Sequence, residues 1–448
     1  MLTSAKKAAL GSFVGTSIEW YDFFIYGTAS ALVFRHVFFP SHDPLVGTLL
    51  SFATFGVAFV ARPLGGIIFG HFGDRIGRRP TLVVTLVMMG VATGLVGLLP
   101  SYDSIGIIAP VLLVILRVLQ GLSVGGEYAG AVLMTVEHAP KARRGLYGSW
   151  VQAGSPAGQI MANGVFLITT ALMSEDQLLG WGWRIPFLAS FALVVVGLVI
   201  RLAVEESPEF ERVEQLDKKE KSPLVTLLRH YPKQVVLMAI AYLGTGVVIY
   251  GAAVYSLSYG TTRLDFSYSQ MLLMVLLCQV ITLILIPVFA RTADRVGIKK
   301  VFLIGNIGMG LMGVPWVLLL DTGQFGLAML GYALIFIPYA AAYGTMAAFF
   351  AGIYDSRVGY SGVSMGYQLG SIFGSGLTPL VAAALLASTG TVVAFGVYIA
   401  GAAALSAAAT IWLRVFDGGD RTAGVEANPK MTGDITVVEV EPVVTKGT

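Results

Sequence analysis

Apolar stretches of about 20 residues or more recur along nearly the whole chain, separated by short polar turns. Each is long enough to cross a hydrocarbon core of ~30 Å as a helix. The pattern predicts spans over 11–34, 45–70, 80–99, 106–136, 145–173 and 184–203, and then over 234–258, 267–290, 300–320, 325–350, 360–387 and 391–414. The expected fold class is therefore an all-α membrane protein of twelve transmembrane helices. Residues 1–203 form one six-helix bundle, 204–233 a polar cytoplasmic linker, and 234–416 a second bundle. Residues 417–448 lack a core-forming pattern and are expected to be a disordered cytoplasmic tail. The alternation over 435–441 is the one place in it where a strand could pair.

Two internal repeats support the division into halves. The turn after the second apolar stretch, Gly70 to Arg79, contains Asp74-Arg75-Ile76-Gly77 followed by Arg78 and Arg79. The turn after the eighth contains Asp294-Arg295-Val296-Gly297 followed by Lys299 and Lys300. Farther on, Gln152-Ala153-Gly154-Ser155 is matched by Gln368-Leu369-Gly370-Ser371. Helical spacing places Gln152, Ser155, Gln159 and Asn163 on one stripe, and Ser364, Gln368, Ser371 and Ser375 on another. Parallel repeats of six spans, with a solute site at their interface, are one transporter architecture.

Composition and charge narrow the picture. Only 12% of the 448 residues are charged and 56% are hydrophobic, with a mean hydropathy of +0.77, against about 25% charged residues in soluble domains. A net charge of +3 offers no basic body for nucleic acid. The lone Cys278 excludes a disulfide framework or a cysteine metal site. The first apolar stretch is of full spanning length and carries two acids, so no cleavable signal peptide is expected. With both termini inside, cytoplasmic segments hold 24 of the 29 Lys and Arg, leaving Arg35, Arg184 and Arg263 outside and Arg62 and Arg117 within spans. The bias fixes that orientation.

Charges inside a span cost at least ~2.5–3.5 kcal/mol each unless paired or wetted, so they mark candidate chemistry. Glu19, Asp22 and Tyr26 share a face of the first span. Arg117, Gln120, Val124, Glu127 and Tyr128 form one stripe on the fourth. Arg117 and Glu127 lie ~15 Å apart along the axis, so each needs a partner elsewhere. Arg117 is expected to pair with Asp22 or with an anionic solute, since guanidinium groups bind carboxylates bidentately. The candidate proton-coupling residues are Asp22, Glu19 and Glu127. The candidate solute-binding residues are Arg117, Tyr26, Gln120, Gln152, Gln159, Tyr250, Tyr367 and Gln368. The plainer reading is a set of permanent ion pairs tying spans 1, 2 and 4 together, with the amide stripes serving helix packing. Arg62, nearer the cytoplasmic end, suits packing or gating better than solute contact. In the turns, Asp74 suits a helix start, and Arg75, Arg78 and Arg79 need acids such as Glu137 and Glu206. With Arg144, Asp294 and Arg295 they form a candidate cytoplasmic gate, or they simply set topology. No catalytic set, metal site or cofactor is expected.

The turn Gly70…Asp74-Arg75-x-Gly77-Arg78-Arg79 resembles the loop signature of the major facilitator superfamily. Glu19-Trp20-Tyr21-Asp22-Phe23-Phe24, Arg62-Pro63-Leu64-Gly65-Gly66, Arg117-x-x-Gln120-Gly121 with Gly125-Gly126-Glu127-Tyr128, and Trp181-Gly182-Trp183-Arg184-Ile185-Pro186-Phe187 narrow the likeness. In order and spacing they are similar to the metabolite:H⁺ symporter family, which includes transporters of shikimate, 2-oxoglutarate, citrate and proline/betaine. One departure concerns the turn after the tenth span, where Gly352 and Gly359 stand in place of a Glu and an Arg, with Asp355 and Arg357 between. The gating charges of the second half are therefore in doubt. The resemblance implies proton-coupled symport of a small hydrophilic metabolite, foremost an organic acid anion, by a monomer in the lipid bilayer of the cell membrane. Uptake of a zwitterionic osmolyte, drug efflux by proton antiport and a non-transporting receptor are the alternatives.

Overall fold

A computed structural model of the chain describes residues 4–40, 43–76, 78–125, 127–137, 139–203, 223–354 and 358–415. Every apolar stretch is helical. In the first half these are α1 (Ser4–Leu32), α2 (Pro44–Ile76), α3 (Arg78–Leu98), α4 (Ile108–Val124) with α5 (Glu127–Glu137), α6 (Arg144–Leu172) and α7 (Arg184–Ala203). The short α8 (Pro223–His230) leads into the second half. There follow α9 (Pro232–Tyr250) with α10 (Ser256–Arg263), α11 (Tyr268–Val296), α12 (Ile298–Asp321), α13 (Phe325–Ala351), α14 (Gly359–Ser371) with α15 (Thr378–Thr389), and α16 (Val393–Trp412). Among the described residues eight helices are long and apolar enough to cross a membrane. Their outward faces carry large apolar side chains in the open, such as Ile304, Leu311 and Val397. Most of the proposed linker and the C-terminal tail lie outside the described residues.

Two of the expected spans are not regular α-helix throughout: the seventh and eleventh pass through π-turns at Gly251–Tyr255 and Ile372–Gly376. Such turns recur at functional positions, and these two flank Tyr250 and follow Gln368 closely.

Within the first half, α2 and α4 meet backbone to backbone. A methyl group at Gly65 would lie 1.9 Å from the Leu122 carbonyl oxygen, and one at Gly121 would lie 2.2 Å from that of Ala58. Gly65→Ala is therefore expected to cost roughly 1–3 kcal/mol. Gly164→Ala, with nothing within 4 Å of the new methyl, is expected to be neutral. Thermal unfolding of the two purified variants compares them; equal melting temperatures would contradict the close packing of α2 on α4.

The halves meet along two antiparallel helix pairs. In one, α6 runs against α11 with polar contacts at three depths. Thr170 and Ser269 share a hydrogen bond of 3.1 Å at one end. Gln279 Nε2 donates to Gln159 Oε1 near the middle. At the other end Asp294 accepts from the backbone N–H groups of Gly145 (2.7 Å) and Leu146 (3.0 Å). In the other pair, α2 packs on the α14–α15 segment through glycine: a methyl at Gly56 would lie 3.0 Å from the Gly376 carbonyl oxygen.

Candidate functional site

Asp22 is buried on α1, and its Oδ1 accepts a hydrogen bond of 2.6 Å from the Ser190 hydroxyl on α7. Its Oδ2 has no hydrogen-bond partner. The Thr93 hydroxyl beside it is committed elsewhere. It donates to the Met89 carbonyl at 2.9 Å and accepts from Gln120 Nε2 at 2.6 Å.

Arg117 is equally buried on α4. Its Nη1 donates to Gln120 Oε1 at 2.8 Å and its Nη2 to the Phe55 carbonyl at 3.1 Å. The guanidinium carbon lies 3.7 Å from the centre of the Tyr26 ring, while the Tyr26 hydroxyl donates to Thr54 at 2.8 Å. The expected direct pairing of Asp22 with Arg117 is thus not what the structure shows. Neither oxygen of Asp22 accepts from the guanidinium. A neutral relay, Arg117 to Gln120 to Thr93, separates them. Two carbonyl acceptors and an aromatic face stabilise the cation where it lies.

Arg62, also fully buried, has its guanidinium carbon 4.0 Å from the Phe23 ring centre and 4.2 Å from that of Phe59. A small cavity opens between the halves beside it, walled by Glu19, Trp20 and Arg62, by Tyr128, and from the second half by Tyr367 and Gln368. The rings of Tyr128 and Tyr367 stack across the boundary, 3.8 Å between centres and 17° between planes. Gln368 Nε2 donates to the Gly125 carbonyl at 2.9 Å. Gln152 accepts from the Tyr128 hydroxyl at 3.1 Å and donates to the Tyr343 carbonyl at 3.1 Å. Tyr250 reaches from the second half into the rings of Phe24, Phe55 and Phe59.

The sequence-selected residues therefore fall into two clusters. Asp22, Tyr26, Gln120 and Arg117 form one inside the first half. Tyr128, Gln152, Tyr367 and Gln368 form the other at the boundary, with Gln159 and Tyr250 bridging it elsewhere. Glu19 lines the boundary cavity, and Glu127, also buried, begins α5. Ser190 and Thr93 carry contacts the sequence did not single out. Isolated hydroxyl groups in apolar spans give no pattern by which to choose them.

Of the gate residues, the side chains of Asp74, Arg75, Arg78, Arg79 and Glu137 lie outside the described residues, as does Glu206. Asp294 receives the first N–H groups of α6, a position where a carboxylate meets the positive end of the helix dipole. Arg295 is exposed, and the Arg144 Nε has no hydrogen-bond partner. Lys299, next in that turn, donates to the carbonyls of Ile411 (3.0 Å) and Leu413 (2.8 Å) and so caps the end of α16. Asp355 and Arg357 fall between Gly352 and Gly359 and lie outside the described residues. Asp294→Ala is expected to remove both acceptors and loosen that end of the halves by about 1–2 kcal/mol. A cysteine placed at Ser155 should then react faster with a membrane-permeant thiol reagent, and an unchanged rate would contradict the latch.

Long apolar helices with charges buried among them are the build of a multi-pass membrane protein. The family model described as Major Facilitator Superfamily matches residues 12–375, and the chain belongs to that superfamily. It is 40% identical over 414 residues to an inner membrane metabolite transport protein of Escherichia coli K12, covering 90% of this chain and 93% of the relative. It is 40% identical over 388 residues to the shikimate transporter of the same organism, covering 86% and 89%. The proline/betaine transporter of that organism is 34% identical, covering 86% and 78%. Among solved structures, the proton:xylose symporter bound to 6-bromo-6-deoxy-D-glucose matches with a TM-score of 0.71 at 16% identity, covering 91% of this chain and 94% of that one. The chain is a multi-pass protein of the inner membrane and a transporter of small metabolites.

Proposed function

We propose that the protein is a proton-coupled symporter of a small hydrophilic organic acid anion. It works as a monomer in the lipid bilayer, with twelve spans in two six-helix bundles and both termini in the cytoplasm. The observation that carries this reading is Asp22. It is a fully buried carboxylate with one oxygen bonded to Ser190 and the other without a partner, and the Thr93 hydroxyl beside it is linked through Gln120 to the buried Arg117. A proton taken up there removes a negative charge next to a fixed positive one and so favours a different arrangement of the halves. A monoanion moving with one proton is electroneutral, whereas each further net charge adds ~2.3 kcal/mol per 100 mV.

The test is uptake by proteoliposomes of labelled organic acids and osmolytes, with and without an inward proton gradient. Accumulation of an acid that requires the gradient is the expected result; gradient-independent equilibration of every solute would oppose it. Orientation has its own test, which the burial of the lone Cys278 keeps clean. A cysteine at Ser104 or Asp321 is expected to label from outside intact cells with an impermeant reagent, and one at Lys141 or Lys218 is not. The reverse pattern would overturn the topology.

A further inference from the structure

We propose that Tyr21 and Ser190 are positioning residues for Asp22. Tyr21 occupies the backbone carbonyl to which the Ser190 hydroxyl would otherwise return. The hydroxyl so released is the donor that sets where on the pH scale Asp22 exchanges its proton. This rests on Asp22 as the proton carrier, as proposed above, and names what tunes it.

In an apolar helix a serine or threonine hydroxyl always has one acceptor in reach, the carbonyl four residues earlier. Thr93 takes it on α3, Ser123 on α4, Thr135 on α5 and Thr169 on α6, at 2.9, 2.8, 2.8 and 2.7 Å. Ser190 stands four residues after Pro186 on α7 and does not. Its hydroxyl turns to Asp22 Oδ1 at 2.6 Å. The Pro186 carbonyl accepts instead from the Tyr21 hydroxyl at 2.8 Å. Tyr21 and Asp22 are neighbours on α1, so two consecutive residues of one helix engage a carbonyl and a hydroxyl one turn apart on another. Tyr21, Asp22 and Ser190 are 1%, 2% and 0% exposed, so this exchange of partners takes place away from bulk solvent.

Ser190 has no substitute in this role among the described residues. Thr93 lies beside Asp22 but gives its proton to the Met89 carbonyl. Arg117 spends its terminal nitrogens on Gln120 and Phe55. A donor aimed at a carboxylate favours the charged form, so removing it favours the neutral one. The charged and phenolic groups around Asp22 are Glu19 and Tyr21 on α1 itself, and Arg62 from α2 and Arg117 from α4, both over the Phe23 ring. From the second half the Tyr250 ring stacks on Phe24. On α6 the approach to this stretch of α1 is made by Gly158, where a methyl would lie 2.7 Å from the Tyr21 nitrogen. Ser190→Ala leaves all of these in place.

The experiment titrates the purified full-length protein by infrared spectroscopy. It follows the stretching band of a neutral carboxyl that Asp22→Asn removes, a signal that depends on no solute. Ser190→Ala is expected to move the midpoint of that band to higher pH by about one pH unit or more, the scale of one hydrogen bond to a charged group. Ser190→Thr keeps the hydroxyl and is expected to titrate as the wild type does. Tyr21→Phe is expected to move the midpoint in the same direction, since the freed Pro186 carbonyl reclaims the Ser190 hydroxyl, and to add nothing once Ser190 is alanine. An unmoved midpoint in Ser190→Ala overturns the proposal. So does a Tyr21→Phe shift that adds in full to that of Ser190→Ala, because Tyr21 would then act without Ser190. Should Ser190→Ala fail to fold, Tyr21→Phe decides alone, and an unmoved midpoint there overturns the proposal equally. If the midpoints move as expected while Asp22→Asn keeps full pH-driven accumulation, the positioning stands and the assignment of the coupled proton to Asp22 falls.

Discussion

Asp22→Asn is expected to abolish accumulation driven by a pH gradient while leaving exchange of labelled for unlabelled solute in place. The amide is nearly the shape of a protonated carboxyl, and its oxygen can still accept from Ser190, whose hydroxyl lies 2.6 Å from Oδ1. The exposed consequence is chemical: the side chain no longer gains or loses a proton. Net uptake needs the carrier to return empty with the proton released, whereas exchange needs only the loaded form to cross in both directions. The variant therefore separates coupling from translocation. Full pH-driven accumulation by Asp22→Asn would contradict the assignment and move the proton to Glu19 or Glu127, the other buried carboxylates of the first half among the described residues.

Arg117→Ala is expected to lose both uptake and exchange, for a structural reason. The guanidinium is the hub that holds Gln120, the Phe55 carbonyl and the face of Tyr26, and through Gln120 it fixes Thr93 beside Asp22. Truncation opens a cavity at a fully buried position and strands the Gln120 amide oxygen, a combination worth about 3–5 kcal/mol. Melting of the purified variant should fall accordingly. Adding Asp22→Asn to Arg117→Gln is expected to recover part of the loss, because a buried carboxylate without a nearby cation is costlier than an amide. A double variant no more stable than Arg117→Gln alone would show that the relay through Gln120 and Thr93 does not link the two charges.

Much of this was legible in the sequence because membrane-spanning helices announce themselves by length and hydropathy. The predicted 267–290 and 391–414 lie within a few residues of Tyr268–Val296 and Val393–Trp412. An internal repeat was legible in the two Asp-Arg turns and the two Gln-x-Gly-Ser stripes. The cross-half hydrogen bonds of Gln152, Gln159 and Gln368 show the stripes lying on the boundary. Partner choice was not legible. Depth along a helix suggested Arg117 for Asp22, but it cannot say which way a long side chain turns, and here aromatic faces and a backbone carbonyl hold it. Depth also suggested packing or gating for Arg62, and its guanidinium lies over the rings of Phe23 and Phe59 at the edge of the boundary cavity. The Asp294 latch shows a charged turn reaching across to the opposite half, a long-range contact that no local pattern encodes.

Proton movement with the solute is the central claim, and a pH electrode measures it directly. Proteoliposomes with no imposed gradient are suspended in lightly buffered medium, the membrane potential is clamped with potassium and valinomycin, and the transported acid is added as its salt. The account predicts a transient alkalinisation of the medium that matches labelled uptake in time, is abolished by a protonophore and is absent with Asp22→Asn. Labelled uptake at the same rate with no change in external pH would contradict it.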